Sequence, residues 1–232
     1  MTEKQSENVF AVDFDFRYEK DNNIMRHHKR GNYMLNNLIR PFIIALAEYC
    51  VMPDKVTVYI MEKPNVNNKL TEYTKDGMHM IIGCRLSREI QKHIRDKTIH
   101  LIKNLEENGI SLPIINEWED VVDEAITTGR NNWQLYGSRK PGHEAYELTC
   151  AYEVSNMNSI DPDELPIYDE LNIGDIMPFP LISVQNTIFP LLQPRKEQLT
   201  SLCPKNKKKS IREIKYKLKY KLNFYKVKVE LS

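Results

Sequence analysis

The most regular pattern along the chain is an alternation of apolar and acidic residues from Val9 to Arg17, in the sequence VFAVDFDFR. A period of two that is rich in Val and Phe predicts a β-strand with one buried face. Asp13 and Asp15 then share the other face, roughly 6.5–7 Å apart at about 3.3 Å rise per residue. Since neighbouring carboxylates repel each other, this face either binds a divalent cation or belongs to an edge strand that points into water.

Other apolar patterns predict the elements around this strand. Apolar residues three and four positions apart predict amphipathic helices over Tyr33 to Cys50, which Pro41 would kink or divide, and over Ser87 to Glu107. Glu117 to Ile126 fits either a helix or a strand. Four further strands are predicted, at Val56 to Met61, Thr74 to Gly83 and Tyr146 to Val154, with a short one in the sequence WQLYGS. This mixture predicts an α/β (α+β) fold.

The regular patterning fades after Val154. Proline is frequent between residues 155 and 204, which indicates an extended linker or wrapping segment. From Lys205 the chain alternates Lys with Tyr, Leu, Ile and Val. This basic tail could contact nucleic acid by stacking, be poorly ordered, or result from an interrupted reading frame. We therefore expect a folded domain over residues 1–154, an extended segment over 155–204 and a basic tail over 205–232.

Composition narrows the class of protein. At 232 residues and 41% hydrophobic, the chain is long and apolar enough for one folded domain with an appendage, and its net charge of +1 indicates no particular partner. The four cysteines are far apart, which argues against a zinc site or a disulfide framework. The N-terminus is polar and no apolar run approaches the ~20 residues of a membrane span. We therefore expect a soluble, intracellular protein.

Several polar residues interrupt the apolar patterns and are candidates for chemistry. His79 lies within the buried run MHMII, shortly after Lys75 and Gly77. It is either a packed core residue or a donor to a phosphate oxygen. Asp123 is a third acidic candidate, and Arg139 and Lys140 form a basic pair in a turn. Two metal-binding acids, a histidine, a third acid and basic groups together fit nucleotidyl transfer.

A second basic group follows the first predicted strand, in the sequence RHHKRG. Arg26, Lys29 and Arg30 could hold a nucleic-acid backbone or a triphosphate, or could form a solvated basic loop. Arg130 begins the stretch RNNWQLYGSRKPG, which includes the turn at Arg139.

In this order the motifs resemble the archaeo-eukaryotic primase superfamily. VDFDF is similar to its Asp-x-Asp motif, DGMHMII to its Ser-x-His motif with Gly77 at the usual serine, and VVDEAI to its third motif. The continuation NNWQLYGSRKPGHEAYEL looks like the viral branch found in poxvirus-type and giant-virus primase–helicases. The resemblance covers about residues 9 to 154 and implies a two-part primase fold with an RRM-like catalytic sheet, residues 1–154 being the catalytic domain.

The resemblance also implies roles for individual residues. Asp13, Asp15 and Asp123 would bind a divalent metal, Mg²⁺ or Mn²⁺, with Asp120 and Glu124 as rivals of Asp123. The remaining candidates would bind the nucleotide (Lys75, Gly77, His79, Arg139 and Lys140) or the nucleic acid (Arg26, Lys29, Arg30 and Arg130). The expected partners are nucleoside triphosphates, a single-stranded DNA template and a helicase domain or subunit, and for a viral protein the expected location is the host-cell cytoplasm.

The resemblance has three departures, the first being that little sequence precedes the Asp-x-Asp motif. Gly77 removes a hydroxyl donor, whose role a backbone N–H would have to take, and no Walker-type GxxxxGK[ST] is present, so this is an isolated primase domain or part of a longer primase–helicase. The main hypothesis is a metal-dependent DNA primase. The alternatives are a catalytically silent module that binds single-stranded nucleic acid or docks a replication partner, and a two-metal nuclease.

Overall fold

The structure is a computed structural model. It describes residues 2–3 (backbone only), 9–20, 26–70, 72–109, 111–128, 133–134, 136–137, 139–158, 166–176, 188–195 and 198. The predicted tail over 205–232 and the candidate Arg130 lie outside these residues.

An antiparallel sheet of five strands forms the centre of the fold. In spatial order it contains β2 (Val9–Glu19), β4 (Tyr73–Arg85), β3 (Lys55–Glu62), β6 (Glu147–Ser155) and β7 (Ile167–Glu170). Two short strands, β1 (Thr2–Glu3) and β5 (Trp133–Gln134), pair separately.

The helices begin and end where the local sequence predicts. A π-helical turn, Met34–Ile39, leads directly into α1 (Arg40–Tyr49), with Pro41 in the first turn where its missing N–H is tolerated. Ser87 caps the long helix α2 (Arg88–Glu107), because its Oγ accepts a hydrogen bond from Ile90 N at 3.4 Å. Two short helices follow, α3 (Trp118–Val121) and α4 (Glu124–Thr128). The ambiguous segment Glu117 to Ile126 is thus mainly helical.

Alternation along β2 separates the two faces of the sheet. Phe10, Phe14 and Phe16 are fully buried in the larger apolar cluster, which includes Phe42 of α1, 5.9 Å from Phe14 between ring centroids. The intervening residues of β2 point to the opposite face, which carries a smaller apolar cluster that includes Ala11. Asp13 and Asp15 therefore lie on the face opposite the helices.

The outer edge of β2 is covered by residues 114–123, the covering segment, which includes α3. Asp123 N donates to Asp13 O at 3.0 Å, and Ile115 N donates to Arg17 O at 2.8 Å. The Asn116 side chain extends this pairing, since its Oδ1 accepts from Arg17 N at 3.0 Å and its Nδ2 donates to Asp15 O at 2.9 Å. The backbone groups of an otherwise open sheet edge are thereby satisfied.

The observed architecture confirms the predicted mixed α/β fold, and it shows that the five-stranded sheet is antiparallel. Described parts of the proline-rich stretch lie against this domain: β7 extends the sheet, and Leu192 N donates to Arg85 O at 3.0 Å. The domain boundary at residue 154 stays a prediction. No helix within the described ranges is long and apolar enough to cross a lipid bilayer.

A buried arginine on α2 holds the covering segment in place. Arg95 is 5% exposed; its Nε donates to Val122 O at 2.8 Å and its Nη2 donates to Glu119 O at 2.6 Å. We expect Arg95→Met to lower the free energy of unfolding by about 2–4 kcal/mol, because it leaves these carbonyl oxygens without donors. Lys103 also lies on α2 and forms a surface ion pair with Glu119 of α3. Lys103→Ala should lower the free energy of unfolding by about 1 kcal/mol or less. Equal losses in urea denaturation of the two variants would contradict this role.

Candidate active site

The register of β2 against β4 brings the first two sequence motifs together. Asp13 lies opposite His79 and Asp15 lies opposite Gly77. The Lys75 ammonium is 2.7 Å from Asp15 Oδ2, and His79 Nε2 is 3.5 Å from Asp13 Oδ1. These five residues, separated by some sixty positions in the sequence, form one polar patch on the face opposite the helices.

Asp123 joins this patch because the covering segment pairs with β2. Its backbone N–H donates to Asp13 O, and its Oδ1 accepts from Ala125 N at 2.8 Å, which fixes the side chain at the start of α4. The two rival acids point elsewhere: Asp120 is exposed, and Glu124 forms an ion pair with Lys92 on α2. Among these three acids, the geometry therefore favours Asp123 as the partner of Asp13 and Asp15.

Asp13 is the carboxylate whose ionisation this patch opposes. Burial, followed by the negative charges of Asp15 and Asp123, raises the pKa of Asp13 to about 8, while the positive charges of Lys75 and Lys63 act in the opposite direction. Asp13 Oδ1 is also buried without a hydrogen-bond partner among the described residues. A bound cation would satisfy this oxygen and remove the repulsion.

The residues at this patch fit a divalent metal in their chemistry. Carboxylate oxygens are the ligands that Mg²⁺ and Mn²⁺ prefer, and the unpartnered oxygen of Asp13 is available to bind one. Within the described ranges, however, no group of three or more His, Cys, Asp or Glu side chains is already spaced as a metal site. Metal binding by Asp13, Asp15 and Asp123 together would thus require movement of these side chains.

His79 is enclosed by aromatic rings. Its ring centroid lies 3.6 Å from that of Tyr146, nearly parallel to it, and 4.2 Å from that of Trp133. Burial, with a smaller effect from the positive charges of Lys63 and Lys140, lowers the pKa of His79 to about 3. At neutral pH the imidazole is therefore uncharged, so it can contribute a hydrogen bond but no positive charge.

Lys63 is a member of this site that sequence reasoning missed. It directly follows β3, and burial lowers its pKa, as do the nearby charges of Lys75 and Lys140, while Asp13 and Asp15 act in the opposite direction. Its position after a predicted strand and before Pro64 was the only sequence signal. Lys63, Lys75 and Lys140 together place positive charge around the carboxylates.

Tyr146 was likewise missed, because a tyrosine at the start of a predicted strand carries no local signal. The structure places it against His79 and beside Gly77.

Two of the residues predicted to contact nucleic acid, Arg26 and Lys29, form ion pairs within the protein. The Arg26 Nη1 lies 3.2 Å from Glu62 Oε1 and 3.1 Å from Asp76 Oδ1, and the Lys29 ammonium lies 2.5 Å from Glu62 Oε2. Both carboxylates are buried, and His28 lies between them. The structure thus gives Arg26 and Lys29 a charge-pairing role inside the protein.

The other predicted basic contacts are at the surface. Arg30 and Arg139 are exposed, and Lys140 is exposed close enough to His79 to lower its pKa. The roles predicted for these residues, and nucleic-acid contact by Arg26 and Lys29, stay predictions.

The raised pKa of Asp13 makes the stability of the metal-free protein depend on pH. The pKa of about 8 in the folded state lies above the ordinary value of 3.8. Ionisation of Asp13 therefore costs the folded protein no stability below pH 3.8, and the loss in the free energy of unfolding grows from there to about pH 8. We expect Asp13→Asn to match the wild type at pH 4 and to exceed it by roughly 1–3 kcal/mol at pH 8.

Urea denaturation with EDTA at both pH values measures this difference. Asp169→Asn, a change at an exposed carboxylate on β7, is the control and should alter neither value. A gain of the same size at pH 4 and pH 8 would show that ionisation of Asp13 is not its cause.

Comparison with known proteins agrees with this geometry. The family model described as the C962R protein N-terminal AEP domain, where AEP denotes the archaeo-eukaryotic primases, matches residues 1–152. No curated protein matches the chain significantly. The family supports a primase or nucleotidyltransferase type of function, and its domains generally depend on divalent metal, single-stranded DNA and nucleoside triphosphates. Because the match covers well over half of the 232 residues, the chain belongs to the C962R-type family of archaeo-eukaryotic primase domains.

Proposed function

We propose that this protein is a metal-dependent DNA primase, which joins nucleoside triphosphates on a single-stranded DNA template. The observation that carries the proposal is the meeting of Asp13, Asp15 and Asp123 beside three lysines on one sheet face. The acids attract cations and the lysines attract a polyanion, and a nucleoside triphosphate with its metal ion needs both.

In this proposal each group has a defined task. A divalent metal bound by Asp13, Asp15 and Asp123 would activate the 3′-hydroxyl that attacks the α-phosphate and would stabilise the departing pyrophosphate. Lys63, Lys75 and Lys140 neutralise the charge of the triphosphate and orient it. His79 stays uncharged and donates one hydrogen bond to a phosphate oxygen from a fixed ring position. No covalent bond to the protein is needed.

The proposal includes the wider setting expected from the sequence. A helicase domain or subunit would act with this domain, in DNA replication of the viral type. A helicase subunit would be recognised by co-purification with an ATP-hydrolysing protein, and a helicase domain by a longer form of the chain.

The first experiment measures primer synthesis on single-stranded DNA with labelled nucleotides and Mg²⁺ or Mn²⁺. Asp13→Asn and Asp15→Asn should each lower synthesis by more than about 100-fold, because each removes a carboxylate that would hold the metal. Glu119→Gln, a change at a 57% exposed acid outside the patch, should retain wild-type synthesis. Full synthesis by either aspartate variant would contradict the metal assignment.

The same assay separates the alternative functions. Degradation of a labelled strand without added triphosphates would indicate a two-metal nuclease. DNA binding without incorporation under either metal would indicate a catalytically silent binding module.

A second experiment tests Lys63, whose ammonium lies 4.9 Å from the centroid of the Tyr146 ring. Lys63→Ala should raise the KM for nucleotide by about 10-fold or more, since a charge-assisted contact to phosphate contributes roughly 1.5–3 kcal/mol. Lys55→Ala is the matched control, because Lys55 lies at the other end of β3, is 63% exposed and is paired with Glu153. A KM unchanged by Lys63→Ala, or raised equally by both variants, would remove Lys63 from the site.

A further inference from the structure

Tyr146 packs directly against the polar patch. It directly precedes β6, is 6% exposed, and stacks on His79 with an interplanar angle of 16°. The Lys63 ammonium lies 4.9 Å from the centroid of its ring, within the range of a cation–π contact. Its ring position is therefore set by contacts with two other residues of the site.

The hydroxyl of Tyr146 occupies the space beside Gly77. A β-carbon added to Gly77 would lie 2.6 Å from Tyr146 Oη, much closer than such atoms approach, and 3.9 Å from Asp15 Oδ1. The next atom of the ring, Cζ, would be at an ordinary 3.7 Å. The phenolic oxygen alone thus excludes any side chain at position 77. The glycine is required here by this close approach.

This hydroxyl is a donor without a partner inside the described part of the chain. No hydrogen bond of Tyr146 Oη to another described residue is present, and a phenol is protonated at neutral pH. Burial and the charges of Asp13 and Asp15 raise its pKa further. A group in this position can donate a hydrogen bond to a ligand that enters the patch.

The surrounding charges indicate which ligand atom accepts it. The Lys63 ammonium lies over the Tyr146 ring, and Lys63 and Lys140 both lower the pKa of His79. Lys75 contacts Asp15 and lies close enough to Lys63 to lower its pKa. Three ammonium groups attract a phosphate chain rather than a neutral base or sugar. The acceptor is therefore an anionic oxygen.

We infer that Tyr146 is a substrate-contacting residue, whose hydroxyl donates a hydrogen bond to a phosphate oxygen of the bound nucleoside triphosphate. This rests on the proposed function, which supplies the triphosphate. It also explains why this chain accommodates glycine at position 77: a hydroxyl from β6 enters the space that a side chain on β4 would otherwise fill.

The test uses the full chain and direct binding of ATP with Mg²⁺ by calorimetry, without template. Tyr146→Phe should weaken binding 10- to 100-fold, because a hydrogen bond to a charged group contributes roughly 1.5–3 kcal/mol. Its melting temperature should stay within a few degrees of the wild type, since the stacked ring is retained.

Two double variants separate the hydroxyl from the packing of the ring. Without the phenolic oxygen, the nearest atoms to a β-carbon at position 77 that remain of this set are Cζ at 3.7 Å and Asp15 Oδ1 at 3.9 Å, both at ordinary contact distances. Gly77→Ser combined with Tyr146→Phe returns a hydroxyl to the site and should recover most of the lost affinity. Gly77→Ala combined with Tyr146→Phe fills the same space without a hydroxyl and should recover none.

Each outcome supports or overturns the inference. Wild-type affinity in Tyr146→Phe, equal recovery by the two double variants, or no ATP binding by the wild type overturns it. If the wild type binds ATP and shows this pattern but makes no primer, the hydroxyl contact stands and the proposed primase function fails. If primer synthesis occurs and Tyr146→Phe binds ATP normally, only the hydroxyl contact fails.

Discussion

Antiparallel pairing of β2 with β4 is the interaction on which the whole site depends. The three phenylalanines of β2 are buried against the helices, so the alternating side chains of the strand must place both aspartates on the opposite face. Register then sets Asp13 opposite His79 and Asp15 opposite Gly77. A slip of one residue would bring carboxylates into the apolar core, and burial of the phenylalanines therefore fixes the positions of the acids.

The electrostatics of the patch are unfavourable without a ligand and favourable with one. The ionised form of Asp13 is destabilised by burial and by two neighbouring carboxylates. The charged form of Lys63 is destabilised by burial and by two neighbouring ammonium groups. A cation relieves the first imbalance and a phosphate chain relieves the second. The structure contributes fixed positions for both kinds of charge, with Arg95 and the covering segment holding Asp123 next to Asp13.

The sequence predicted those features that depend on local patterns. The strand with Asp13 and Asp15 was evident from its period of two, and the Ser87 cap from the residue type before an amphipathic run. Lys63 and Tyr146 could not be predicted, because only the pairing of β3 with β4 and β6 brings them near the acids. For the basic group RHHKRG the sequence left open a contact to nucleic acid or triphosphate and a solvated loop, and it gave no sign that Arg26 pairs with Asp76, which is 50 residues away.

These internal ion pairs also position the site, through the alternation of the strands. Glu62 and Asp76 point to the helix side, where they pair with His28, Arg26 and Lys29. Burial alone would raise the pKa of Glu62, but hydrogen bonds from His28, Lys29 and Thr149 outweigh it and lower this pKa to about 2. Their chain neighbours, Lys63, Lys75 and Gly77, point to the other face, beside the carboxylates. A side chain that is fixed on one face of a strand also fixes the backbone of the residue that follows or precedes it. The buried ion pairs of Glu62 and Asp76 therefore hold in place the backbone that carries Lys63 and Lys75.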